Sequence, residues 1–126
     1  MKHKLQIGDI ALPIDTVTST TVVLGGKGMG KTNFASVLAE ECDAAGLRFS
    51  VLDPLGVWYG LRHAKDGIGR GIECLILGGV HGDIPIEPTG GAVVADLVAD
   101  EPVNVVIDFS RKANGDDYSQ LDHLWR

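Results

Sequence analysis

The chain has 126 residues, of which 44% are hydrophobic and 22% charged, and its formal net charge is −6. This composition is typical of one folded domain with an apolar core, and it argues against a disordered tail. The acidic balance argues against a broad DNA-coating surface, because nucleic-acid binders usually carry a basic patch.

The sequence shows neither a targeting segment nor a membrane span. Residues 1–4 include basic side chains, but no apolar segment follows them as in a signal peptide. No apolar run approaches the roughly 20 residues needed to span a bilayer. Cys42 and Cys74 lie in apolar sequence without metal-ligand spacing, so we interpret them as reduced core residues. We therefore expect a cytoplasmic protein with no membrane partner.

Residues 4–14 predict a short β-hairpin within an N-terminal segment, residues 1–15. Lys4 to Ile7 alternates in polarity, Gly8-Asp9 is turn-like, and an apolar run follows. We expect this hairpin to cap the edge of a sheet.

The segment from Thr21 to Ala45 predicts an apolar strand at Thr21 to Leu24, a glycine-rich loop and a helix. The loop fits G-x-x-x-x-G-K-[ST], in which backbone N–H groups at a helix N-terminus surround phosphate. The pattern puts the Lys31 amine between the β- and γ-phosphates and the Thr32 hydroxyl on Mg²⁺. The predicted nucleoside-triphosphate site consists of Gly25, Gly26, Lys27, Gly28, Met29, Gly30, Lys31, Thr32 and Asn33.

A dinucleotide site of the G-x-G-x-x-G type fits the same loop less well. Gly26 and Gly28 match that fingerprint, but Lys31 occupies its third glycine position. Asp53 stands at the end of the next predicted strand, where a ribose-binding acid is expected, so this alternative stays open.

The helix after the loop is followed by a second strand. Apolar residues recur at helical spacing up to Gly46, which is expected to end the helix. Phe49 to Leu52 is apolar and ends at Asp53-Pro54. A strand, a helix and a second strand form a βαβ unit, so the sequence predicts an α/β fold: a three-layer α/β/α sandwich around a mainly parallel sheet.

The segment from Leu55 to Gly71 follows the carboxyl end of a strand, where open α/β sheets place ligands. Trp58 and Tyr59 are expected either to stack on a base or ribose, or to pack the loop onto the domain. Asp66 to Gly71 is typical of a surface turn.

Ile72 to Leu77 predicts a third strand, and His81 and Asp83 follow it in a glycine-containing loop. These two side chains are interpreted as turn residues or, alternatively, as metal ligands without the spacing of a zinc site. Gly91 to Ala99 predicts a short helix, and Val103 to Phe109 predicts an apolar strand.

A last helix is predicted to begin at Asp116 or Asp117. Its apolar residues, at i, i+3, i+6 and i+7, are Tyr118, Leu121, Leu124 and Trp125. Such a face needs a partner, so we expect residues 1–126 to be a nucleotide-binding domain that is incomplete at its C-terminus, or one whose last helix docks on another chain.

Three stretches of the chain carry a resemblance to a known family. They are residues 22–33, then Val51-Leu52-Asp53-Pro54, and then Gly56, Trp58 and Gly60-Leu61-Arg62. These stretches resemble the ATP-binding proteins of the HerA/FtsK superfamily. The resemblance implies a RecA-like P-loop NTPase of the additional-strand class, with ATP and Mg²⁺ as cofactors. It also implies a DNA translocase or helicase-type function in a homo-oligomeric, hexameric ring. Met29 stands where many members have serine.

The chain departs from this family in its catalytic acids. Members carry an apolar strand ending in Asp-Glu-Ala, and no such strand follows here. Asp108 is the candidate Mg²⁺ acid and, with Lys31, the candidate catalytic residue, although the family pattern favours a Walker B strand beyond residue 126. Arg62, Arg70 and Arg111 are weak candidates for an arginine finger.

Three functions follow from these patterns. The first is the ATP-binding core of a HerA-like DNA translocase, which hydrolyses ATP poorly until a Walker B strand and ring partners complete it. The second is a stand-alone nucleotide-binding regulator or small kinase-like phosphotransferase. The third is an interaction domain that docks through its last helix.

Overall fold

The computed structural model describes residues 4–87 and 89–110. The chain divides into two compact units, Met1–Arg48 and Phe49–Arg126. The helix predicted from Asp116 or Asp117 lies outside the described residues.

The first unit contains the predicted hairpin. Strand β1 (Lys4–Ile7) pairs antiparallel with β2 (Ile10–Pro13), and Ile7 faces Ile10 next to the turn. A 3-10 helix, Ile14–Thr18, follows directly. The hairpin is therefore confirmed, whereas its expected position at a sheet edge stays a prediction.

Helix α1 (Lys31–Ala44) packs against β1 in the same unit. Leu5 and Ile7 alternate with exposed residues along β1 and are buried, as are Ala39 and Cys42 on the helix. The Gln6 N–H donates to the Glu41 carboxylate at 2.7 Å, which adds a polar tie between strand and helix. Gly46, at φ +75°, ends the helix as predicted.

The strand predicted at Thr21 to Leu24 is absent, and this expectation was wrong. Residues 20–26 carry no regular secondary structure. Val22 and Leu24 are 71% and 87% exposed. A strand needs a partner for its backbone N–H and C=O groups, and within the described part of the chain no strand pairs with this segment. Apolar composition alone therefore did not make a strand here.

The second unit is built on a three-stranded parallel sheet. Strands β3 (Ser50–Asp53), β4 (Cys74–Gly78) and β5 (Asn104–Asp108) lie in the order β3-β5-β4. Asp108 is in register with Asp53 on one side and with Gly78 on the other. The carboxyl ends of all three strands thus meet at one edge of the sheet, as the sequence predicts for an α/β fold.

Helix α2 (Gly91–Asp100) contributes to the core of this unit. Leu77, Val105 and Ile107 form a buried cluster, against which half-buried residues of the helix pack. Those helix residues are Val94, Leu97 and Val98. Val105 and Val106 in the central strand are fully buried, which fits a strand flanked on both sides.

The described residues form a small α/β fold with a parallel sheet and an antiparallel hairpin. The three-layer sandwich of P-loop proteins stays a prediction. Cys42 and Cys74 are both buried, and neither forms a disulfide within the described residues, as expected. Burial raises the pKa of the Cys42 thiol, and the negative charge of Glu41 adds to the effect. Among the described helices, none is long and apolar enough to cross a membrane.

Candidate functional site

The glycine-rich loop leads directly into α1, which begins at Lys31 within the predicted pattern. The Met29 N–H donates to the Gly26 carbonyl at 3.3 Å, and the Phe34 N–H donates to the Gly30 carbonyl at 2.9 Å. The N–H groups that precede Phe34 in the first turn have no acceptor within the helix, as at any helix N-terminus. They are donors that an anion can use.

Two of the loop glycines need their freedom of conformation. Gly28 has φ +78° and Gly30 has φ +92°, a region that residues with a Cβ rarely adopt. A Cβ on Gly25 or Gly26 would meet the Met29 side chain at 3.5 or 3.6 Å, which is ordinary contact. The left-handed backbone at residues 28 and 30 shapes the turn at the start of the helix.

The Lys31 side chain folds back over this loop. Its Nζ donates to the carbonyl oxygens of Gly25 at 2.6 Å and Gly26 at 2.7 Å. These neutral acceptors hold an ammonium group beside the helix N-terminus, where the helix dipole adds positive potential. An anion that enters the loop would meet a cation already in position.

The remaining predicted ligands of this loop are at the surface. Lys27, Met29, Thr32 and Asn33 are exposed, and Lys31 is half-buried. The Thr32 carbonyl accepts a hydrogen bond from the Ser36 hydroxyl at 2.9 Å, so this first turn is also tied to the next.

Asp53, at the carboxyl end of β3, shapes the loop that follows. Its side chain is buried and accepts the N–H groups of Leu55 at 3.1 Å, Gly56 at 2.9 Å and Trp58 at 2.9 Å. Both carboxylate oxygens are therefore used by backbone donors. In the dinucleotide alternative Asp53 would bind a ribose, and the loop would then have to release one of these two carboxylate oxygens.

Asp108, at the carboxyl end of β5, is held in a narrow space in the second unit. The carboxylate accepts the Ser110 N–H at 2.7 Å, and the side chain is buried. A Cβ on Gly79 would overlap the carboxylate, and a Cβ on Gly56 would lie 3.2 Å from its Oδ2 atom. Both glycines, which follow β4 and β3, thus leave room for this acid. Its role as a Mg²⁺ ligand and catalytic residue stays a prediction.

Arg62 and Asp83 form an ion pair beside strand β4. Arg62 Nη1 donates to Asp83 Oδ1 at 2.9 Å, and Nη2 also contacts the carboxylate. Arg62 further donates to the Cys74 carbonyl, and Asp83 accepts the Ile76 N–H at 2.9 Å. The hydrogen bond from Arg62 lowers the pKa of the Asp83 carboxyl, and the Ile76 N–H lowers it further. Arg62 is therefore engaged in structure, which weighs against its use as an arginine finger.

An aromatic cluster is formed by Tyr59, His63 and His81. Sequence reasoning singled out Tyr59 as a stacking candidate but missed its contacts with the two histidines. The rings of Tyr59 and His81 are stacked, with centroids 3.7 Å apart and planes inclined by 22°. The ring of His63 packs edge-on to Tyr59 at 6.4 Å. The signal in the sequence was the position of these rings in loops that follow β3 and β4, which end at the same edge of the sheet.

A family model described as the type IV secretion-system coupling protein DNA-binding domain matches residues 4–67. No curated protein and no solved structure matches the chain. The matched family is related to the FtsK/HerA group that the sequence resembles, whereas the narrower likeness to HerA-type proteins stays a prediction. Because the match covers just over half of the 126 residues, the chain belongs to the family of type IV secretion-system coupling protein DNA-binding domains.

Proposed function

We propose that residues 25–33 bind the polyphosphate of Mg-ATP and that the chain is the ATP-binding part of an FtsK/HerA-like DNA translocase. The observation that carries the proposal is the Lys31 ammonium, held over a left-handed glycine turn at the first residue of a helix. Family membership supports the DNA-translocase part of the proposal.

The residues of the loop fit a triphosphate by their chemistry. Backbone N–H groups and the positive end of the α1 dipole favour an anion, and the Lys31 ammonium adds a full charge. Phosphate oxygens are stronger acceptors for an ammonium group than the neutral carbonyls of Gly25 and Gly26, because the bond is then charge-assisted at both ends. Lys31 would exchange its carbonyl partners for phosphate oxygens on binding.

In this proposal the Thr32 hydroxyl is a ligand of Mg²⁺. The ion, when bound, supplies charge neutralisation on the β- and γ-phosphates. The exposed position of Thr32 in the first helical turn leaves its hydroxyl accessible for this role. The Ser36 bond goes to the Thr32 carbonyl, so it does not compete for the hydroxyl.

The chain is expected to bind ATP far better than it hydrolyses it. Phosphoryl transfer depends on positioned charge, and a missing arginine finger alone costs about 10³ to 10⁵ in rate. Arg62, one candidate, is paired with Asp83. In the proposed function, ring partners of the same kind would supply this charge.

Thermal unfolding of the whole chain with and without Mg-ATP tests the proposal. A ligand at 100 times its dissociation constant stabilises a folded protein by about 2.7 kcal/mol, so the unfolding temperature should rise. Lys31→Ala should abolish the rise, whereas Lys4→Ala, a change at an exposed residue of β1, should retain it. No rise for the wild-type chain at millimolar Mg-ATP, or an equal rise for Lys31→Ala, would contradict the proposal.

A further inference from the structure

We propose that the aromatic cluster, with the exposed cations Lys65 and Arg70, is a stacking surface for single-stranded nucleic acid. The inference rests on the proposed function in one respect, that the chain acts on DNA. It concerns residues of the second unit, and none of them belongs to the glycine-rich loop.

The stack of rings ends at an exposed residue. His81 covers one face of Tyr59 at 3.7 Å, and His81 itself is exposed. One imidazole face lies against Tyr59, and in this proposal the opposite face of the exposed His81 receives another flat ring. His63, also exposed, supports Tyr59 from its edge. A nucleobase placed on His81 would extend an existing stack without disturbing it.

The cations lie on a turn that is tied to the same cluster. Arg70 forms an isolated antiparallel bridge with His63, and the Gly71 N–H donates to the Arg62 carbonyl at 3.0 Å. Between them, the Asp66 carboxylate accepts the N–H groups of Ile68 at 3.0 Å and Gly69 at 2.9 Å. These bonds hold Lys65 and Arg70 on a folded turn that begins and ends beside His63.

Two acids in this region already have local hydrogen-bond partners. Asp66 accepts backbone N–H groups, which lower the pKa of its carboxyl, and Asp83 is paired with Arg62. Lys65 and Arg70 are exposed on this turn, so phosphates can reach them, although the whole chain is acidic. The net charge of the whole chain therefore does not describe the charge of this local surface.

An unpaired strand fits these features better than a duplex. Bases in a duplex are stacked on each other and present edges rather than faces, whereas the bases of a single strand can stack on protein rings. Cations beside the rings can contact the phosphates that connect successive bases. Every base has a flat face that can stack on a ring, so we expect little sequence preference.

Fluorescence anisotropy with a labelled oligothymidine of about 16 nucleotides tests the proposal on the whole chain. His81→Ala should weaken binding by about 5- to 100-fold, because the open face of the stack is lost. His81→Phe should retain binding, since it keeps a flat ring. Combined Lys65→Ala and Arg70→Ala should reduce the slope of log affinity against log salt by about 1.4, or about 0.7 for each lost phosphate contact. Lys4→Ala serves as the control for removal of a surface charge.

Three results would overturn the proposal. These are equal binding by wild type and His81→Ala, equal competition by a duplex of the same length, and displacement of the strand by excess ATP without Mg²⁺. The last result would assign the surface to free nucleotide. The failure of the proposed function can be told apart from the failure of this proposal. Lys31→Ala should lose the Mg-ATP effect and keep strand binding, whereas His81→Ala should keep the Mg-ATP effect and weaken strand binding.

Discussion

The Lys31 ammonium lies 2.6 Å from the carbonyl oxygen of Gly25, six residues earlier in the chain. The side chain can reach this carbonyl because the backbone turns sharply between the two residues. That turn contains Gly28 and Gly30, both at positive φ. The position of the cation therefore depends on backbone conformations that glycine adopts without strain.

Gly30→Ala is expected to destabilise the chain. An alanine at φ +92° costs about 1 to 2 kcal/mol for the left-handed conformation, or forces the turn to change. Urea denaturation should show this loss in the free energy of unfolding. Gly25→Ala is the control, because its Cβ meets only ordinary contacts, and its effect should stay within about 0.5 kcal/mol. Equal effects of the two variants would show that the left-handed turn is unimportant.

Asp53→Asn should be more costly than most substitutions that remove one charge. The buried carboxylate accepts three backbone N–H groups, and an amide NH₂ would face at least one of these donors. Loss of charge-assisted bonds and an unsatisfied donor together predict a decrease of about 2 to 4 kcal/mol in the free energy of unfolding. Asp96→Asn, on the exposed side of α2, should change it little. A small effect at Asp53 would show that the loop forms without this carboxylate.

Gly79→Ala tests the narrow space around Asp108. Its Cβ would collide with the Asp108 carboxylate, and its φ is +65°. Gly67→Ala is a matched control, because Gly67 has φ +70° but no atom within 4 Å of the position that a Cβ would take. Both variants carry the backbone strain, so their difference measures the collision alone. We expect Gly79→Ala to be less stable than Gly67→Ala by about 1 to 3 kcal/mol in urea denaturation.

Asp83→Asn should lower stability in a manner that depends on pH. Arg62 and the Ile76 N–H hold the pKa of the folded carboxyl below its ordinary value of 3.8. The ionised group therefore stabilises the fold above the unfolded pKa, and this contribution is lost as pH falls through the folded pKa.

Because about a third of the Asp83 side chain is exposed, we expect Asp83→Asn to cost about 1 kcal/mol at neutral pH. The difference from wild type in urea denaturation should shrink once the pH falls below 3.8. Asp96→Asn provides the comparison, with no matching ion pair. A difference that persists undiminished in acid would show that Asp83 acts through packing and not through its charge.

Local patterns in the sequence predicted much of the secondary structure. The hairpin at Lys4 to Pro13 follows from alternation around Gly8-Asp9, and the start of α1 at Lys31 follows from the glycine pattern. The strands that end at Asp53 and Asp108 were expected within one or two residues, because short apolar runs end there at polar residues. These features depend mainly on neighbours in the chain.

Contacts between distant residues decided the remainder. Thr21 to Leu24 has the composition of a strand, but no strand pairs with it among the described residues. Composition is a local property, whereas the hydrogen-bond partners of a strand come from elsewhere in the chain. From the sequence, Arg62 was a weak candidate for an arginine finger, and Asp83 was a turn residue or, alternatively, a metal ligand. The fold pairs the two across 21 residues. By itself, the sequence determined local backbone preferences and the glycine loop. Only the tertiary structure decided the partner of each charge and ring, because those partners meet when parallel strands bring their ends to one edge.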